Sequence, residues 1–173
     1  MRFSLILLVL LTGCVNQPQT FAPPVQRQPM LDGDAPKAPK QLVTMMDPDA
    51  DAAIVQDLPR GVNGPWRWAG KKPTVRIFTT NTSGYKLRVR YAIADSTFKD
   101  TGPVSLTFFV NDQPFGVVTE TSTGEKLFEK PIPSAMLRAN ADNYLAIEAD
   151  KVWVSKLDGA QLGFILTSVE LAH

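Results

Sequence analysis

YKLRVRY, residues 85–91, decides the architecture. Tyr85, Leu87, Val89 and Tyr91 alternate strictly with Lys86, Arg88 and Arg90. A period of two puts the four apolar side chains on one face and the three cations on the other, as in an antiparallel strand with one face in a core and one in water. Upstream, Val75, Ile77 and Thr79 alternate with Arg76, Phe78 and Thr80 before the turn Asn81-Thr82-Ser83-Gly84. Downstream, Val104-Ser105-Leu106-Thr107-Phe108-Phe109-Val110 meets Asn111-Asp112-Gln113-Pro114, a hairpin signal, and returns through Phe115 to Thr119. Glu125 to Pro131, Asn143 to Ala149, and Gln161 to Leu171 read as further strands, with Val152-Trp153-Val154 a brief one. Pro133 to Arg138 reads as one short helical turn. Short strands at this spacing predict an all-β chain, an antiparallel β-sandwich of jelly-roll type, over residues 49–173.

The residues before it have another character. MRFSLILLVLLTGC carries one charge, Arg2, then the apolar run Leu5 to Leu11, then Thr12 and Gly13 before Cys14. That is the pattern of a secretory signal over residues 1–13. The apolar run falls well short of the roughly 20 residues needed to span a bilayer. Residues 14–48 follow as a linker holding seven of the fourteen prolines, with no sustained period. Such a segment buries too little apolar surface to offset its chain entropy, so a disordered tether is expected. Fully extended at about 3.1 Å per residue, it would reach on the order of 100 Å.

Leu11-Thr12-Gly13-Cys14 resembles the bacterial lipobox. The resemblance implies cleavage before Cys14, a diacylglycerol on its sulfur, and acylation of its amine, palmitate being a usual chain. Several acyl chains anchor stably where one does not. Val15 follows the cysteine in place of the Asp that retains many lipoproteins at the inner membrane. By that family rule the destination is the outer membrane, with the membrane itself as a partner through Cys14.

Composition excludes several functions. With Arg2 set aside, 17 basic residues balance 17 acidic ones, and the longest basic run is Lys71-Lys72. No basic tract marks a nucleic-acid binder. One cysteine and one histidine, His173, leave no disulfide, no two-histidine zinc site and no serine–histidine or cysteine–histidine nucleophile pair. No glycine-rich phosphate loop follows a strand, and no cofactor or metal is expected. Asp47, Asp49 and Asp51 occupy alternate positions as in a calcium loop, but Ala52 and Leu58 stand where the glycine and the closing glutamate belong. The competing reading is a short helix capped by Asp47, begun at Pro48, and running through Ala53, Ile54 and Val55. A two-carboxylate hydrolase would have Asp95, Asp100, Glu148 and Asp150 to draw on, but these lie in loops and at strand ends, where solvated charges belong. No enzyme is expected.

The order of the pieces is also familiar. Trp-Arg-Trp, a strand ending in Val-Asn-Asp, Pro-Ile-Pro with Leu, an Ile-Glu-Ala strand and a final Leu-Gly-Phe-Ile-Leu resemble the galactose-binding-like β-sandwich modules, including those appended to bacterial polysaccharide enzymes. The resemblance covers residues 54–171 and implies a non-catalytic domain that binds glycan or packs on a neighbour. The group's Arg before the last Leu-Gly pair is absent, Asp158-Gly159-Ala160-Gln161 standing there.

That leaves GPWRWAG, residues 64–70. Trp66 and Trp68 share one face of a strand and Arg67 takes the other. An inward pair fills the core, which is the expectation for tryptophans opening a sandwich strand. An outward pair makes an apolar strip suited to sugar rings or a partner surface. Trp153 is open to both roles, while Tyr85 and Tyr91 are expected in the core. Trp66, Trp68 and Trp153 are thus the candidate ligand contacts. The partner is an envelope polysaccharide or an envelope protein, and the alternative is a structural subunit of an envelope assembly that binds no glycan.

Overall fold

The computed structural model describes residues 40–62 and 64–173. The signal segment, Cys14 and most of the linker lie outside the described residues. Along the chain run β1 (Leu42–Thr44), α1 (Ala50–Ala53), β2 (Ile54–Gln56), β3 (Arg67–Ala69), β4 (Thr74–Thr79), β5 (Lys86–Ile93) and α2 (Asp95–Thr101). Then come β6 (Val104–Val110), β7 (Gln113–Glu120), β8 (Gly124–Pro131), a 3-10 turn (Ser134–Met136), β9 (Ala141–Ala149), β10 (Trp153–Val154), β11 (Gln161–Leu162) and β12 (Phe164–Ala172).

These strands form the antiparallel β-sandwich that the alternation predicts. One sheet is ordered β1-β12-β5-β8, with β3 pairing the start of β12 and β1 its later residues, and the other is ordered β2-β4-β9-β6-β7. β10 and β11 make a separate hairpin. Every ladder is antiparallel.

On β5 the inward residues Leu87, Val89 and Tyr91 are those read from the period of two. Leu87, Val89, Tyr91 and Ile93 of β5 meet Val75 and Ile77 of β4, Leu106 and Phe108 of β6, and Leu145 and Ile147 of β9 in one core. Phe108 and Phe128 stack at 3.7 Å between centroids, 7° from parallel. Each such side chain contributes about 1.5–3 kcal/mol on burial. Tyr85 and Tyr91 are buried as expected; the Tyr91 hydroxyl donates to Glu120 at 2.5 Å, and burial, then Glu120, push its pKa up. On the solvent face of β5, Arg88 donates to Glu129 and Glu170 at 2.7 and 3.2 Å.

The turns follow their residues. Asn111 and Asp112 both take positive φ, 49° and 64°, as a two-residue type I′ hairpin requires. In β12 the register slips between Leu166 and Ser168. Inward residues are Phe164 and Leu166 before this bulge, then Val169 and Leu171 after it, and the Thr167 carbonyl accepts Met45 N–H at 2.9 Å.

Three boundaries differ from the sequence reading. Residues 42–44, assigned there to the tether, are strand β1 on the edge of β12, because Val43 and Met45 reach the core. The helix expected from Asp47 through Val55 is a single turn, Ala50–Ala53, and Asp47 does not cap it. Asp47 Oδ1 instead accepts Asp49 N–H at 2.9 Å, and the β-branched Ile54 turns extended to pair with Val75. Finally α2, which places Asp95 and Asp100 on a helix, has no apolar period to announce it.

Candidate functional site

At β3 the expected orientation is reversed. Arg67 is buried, 3% exposed, while Trp66 is 46% exposed and Trp68 half-buried. The tryptophan pair lies on the outer face of the sheet, and the core reading of it is corrected. The reason is a polar lining under β3 that a tryptophan could not satisfy. The Arg67 Nη1 donates to Asp51 Oδ1 and, at 2.6 Å, to the Pro59 carbonyl. Asp51 Oδ2 in turn accepts Gly61 N–H at 2.6 Å. That bond and the guanidinium hold the Asp51 carboxyl below its ordinary value. Asp51 thus ties α1 to the loop that delivers Trp66, and Ala69, wholly buried, completes the inward side. The aspartates that suggested a calcium loop have structural work: Asp47 pairs with Lys40 at 2.6 Å and Asp51 with Arg67.

The rings of Trp66 and Trp68 stand 6.4 Å apart between centroids and 84° from parallel, forming a corner. Register carries the surface across the sheet, with Trp68 beside Ile165 and Ile165 beside Ala92. In the next row Arg90 lies opposite Leu127, which is 52% exposed.

Trp68 also walls a cleft of about 490 Å³ with Asp57, Leu58, Pro59, Lys71, Gln161 and Leu162. Its backbone is tightly drawn. Gly70 N–H donates to Asp57 O and Gly163 N–H to Ala69 O, both at 2.8 Å. A Cβ on Gly163 would lie 2.7 Å from the Gly70 carbonyl oxygen, so this approach of β3 to the β11–β12 junction requires glycine. Asp57, at φ 55°, accepts Lys72 N–H at 2.8 Å and fixes the turn after β3. The cleft joins residues from 57–71 with residues 161–162, a combination the sequence reading did not assemble. The glycines at 70 and 163 were its one visible trace.

The remaining candidates are not brought to this place. Trp153, half-buried on β10, donates its Nε1 to Asp100 Oδ2 at 2.7 Å, so the indole fastens the β10–β11 hairpin to α2. Of the four carboxylates considered for hydrolysis, Asp100 holds Trp153, Asp150 accepts Ser105 N–H at 2.8 Å, and Glu148 lies 3.5 Å from Lys72. A recess of about 560 Å³ elsewhere has Leu42, Ala52 and Phe78 in its walls, with Lys40, Asp47, Arg76 and Asp142 also lining it.

No family model matches the chain, and no curated protein matches it. Among solved structures it is similar to a family 35 carbohydrate binding module from an environmental isolate, with 16% identity and a TM-score of 0.43 over 60% of this chain. The match spans 66% of that module, just under two thirds of its length.

Proposed function

We propose that this chain is a lipid-anchored outer-membrane protein whose non-catalytic β-sandwich binds a polysaccharide of the cell envelope through Trp66 and Trp68. The observation that carries the reading is the outward tryptophan pair beside a cleft of mixed polar and apolar walls. Large aromatics exposed together on a sheet face cost apolar hydration, and they suit a ligand with alternating apolar and hydroxylated surfaces. The anchor rests on Leu11-Thr12-Gly13-Cys14, and the proline-rich linker sets the domain off from the bilayer.

Two measurements test this. Full-length protein in detergent is titrated with envelope glycans while tryptophan emission is followed. Saturable change that disappears in Trp66→Ala and Trp68→Ala supports the platform. Emission indifferent to every glycan refutes it and turns the search toward a protein partner, the alternative in which the domain is a subunit of an envelope assembly. Mass spectrometry of the membrane-extracted chain tests the anchor. An N-terminal acylated Cys14 is expected, and a free thiol at Cys14 would refute it.

A further inference from the structure

The shape of the tryptophan corner selects the kind of glycan, an inference that rests on the glycan reading above. To meet a flat, packed polysaccharide surface together, two rings must lie in one plane. Trp66 and Trp68 lie 84° apart, so when one presents its face to a pyranose the other presents a wall beside it. A crystalline array therefore meets one ring at most, whereas a single chain can enter the angle between them.

Trp68, though not Trp66, also lines a cleft. Its volume of about 490 Å³ lies within the range of small-molecule sites, roughly 300–1,000 Å³. Polar groups stand ready in it. Among the described residues, neither the Lys71 ammonium nor the Gln161 amide has a hydrogen-bond or ion-pair partner, and both residues line the cleft. An amide offers donors and an acceptor, and an ammonium offers three donors, which is what hydroxyl groups require. Asp57 and Leu58 line it too.

The geometry points to a subsite for a short segment of one glycan chain, with Trp66 and Trp68 as its angled apolar walls and Gln161 and Lys71 as its specificity-determining donors. It does not take packed or crystalline polysaccharide.

The test uses the full-length protein in detergent and a panel of peptidoglycan, chitin, glucan and mannan. Each is supplied as soluble oligosaccharides, from monosaccharide to hexasaccharide, and as the insoluble polymer. Binding of oligosaccharides is read by tryptophan emission and calorimetry, and binding of polymers by co-sedimentation. Near-UV circular dichroism checks that each variant is folded. The expected result is saturable binding of at least one soluble series, weakened about three- to tenfold by Gln161→Ala and by Lys71→Ala, the loss of a single hydrogen bond. Binding confined to the insoluble polymer, or oligosaccharide binding that both variants leave unchanged, overturns this inference and leaves the glycan reading standing. Binding of no member in either form overturns the glycan reading and this inference with it.

Discussion

Replacing Asn143 by Ala tests whether the sandwich is held at one end by a buried amide. Asn143 is fully buried on β9. Its Oδ1 accepts Asn111 Nδ2 and Arg138 N–H, both at 2.8 Å. Its Nδ2 donates to Thr79 Oγ1 at 2.9 Å and to the Arg138 carbonyl at 3.0 Å. One side chain thereby joins β4, the β6–β7 hairpin and the segment before β9. Nδ2 also donates to the Ala141 carbonyl at 3.3 Å, and alanine removes all five bonds, but the partners do not suffer equally. Thr79 Oγ1 still donates to the Arg138 carbonyl at 3.0 Å, and Asn111 Nδ2 still donates to Met136 O at 2.8 Å. The orphans are the Arg138 N–H and the second Asn111 amide hydrogen. An unsatisfied buried donor costs about 1–3 kcal/mol, and because both of these bonds are only part-buried the pair comes to roughly 1–3 kcal/mol. A water in the vacated space, with these donors as partners, would bring the cost toward the lower end. With a urea slope of about 2 kcal/mol per molar, the unfolding midpoint should fall by about 0.5 M or more. The assay is equilibrium urea unfolding followed by tryptophan fluorescence and far-UV circular dichroism together. A midpoint lowered by less than about 0.3 M at unchanged slope would refute the reasoning, since two part-buried donors cannot be orphaned so cheaply.

Trp66→Ala should change stability by no more than about 1 kcal/mol, because the ring is largely on the surface; a loss of about 3–5 kcal/mol, as for a core aromatic, would restore the core reading. Gly163→Ala should cost about 1–3 kcal/mol, since its Cβ meets backbone at 2.7 Å, and should disturb binding at the Trp68 cleft. Gly159→Ala, at φ 72° with open space around it, should cost only about 1–2 kcal/mol and leave that cleft intact; urea midpoints and Trp68 emission separate the two. The Asp51 carboxyl titrates below its ordinary value of 3.8 in the folded chain, so its contribution is complete above that pH and is lost as pH falls through the lower folded value. Asp51→Asn should remove this acid limb from the stability–pH curve and, by leaving the buried Arg67 guanidinium without its counter-ion, lower the midpoint at neutral pH more than Arg67→Met does. An unchanged acid limb, or the reverse order of the two variants, would show that the pair does not hold β3.

Periodicity is legible without coordinates. Alternation along 85–91 marks a strand with one buried face, and it placed Tyr85, Leu87, Val89 and Tyr91 inward correctly because a strand's side chains have no other way to divide. Asn111-Asp112 marks its hairpin because few residues tolerate positive φ. The start of the domain was less legible: Leu42–Thr44 is too short to show a period, and only the free edge of β12 makes it a strand. The tryptophan face was beyond periodicity altogether. A period of two says that Trp66 and Trp68 go together and Arg67 opposite, but not which side is the core. Asp51 and the Pro59 carbonyl decide that, by giving the Nη1 of the buried guanidinium a counter-ion and an acceptor. The cleft beside Trp68 was equally hidden, since Lys71 and Gln161 stand ninety residues apart and meet only where Gly163 lets the β11–β12 junction reach the turn after β3. Local chemistry sets each strand's two faces; only packing against distant segments decides which of them meets solvent.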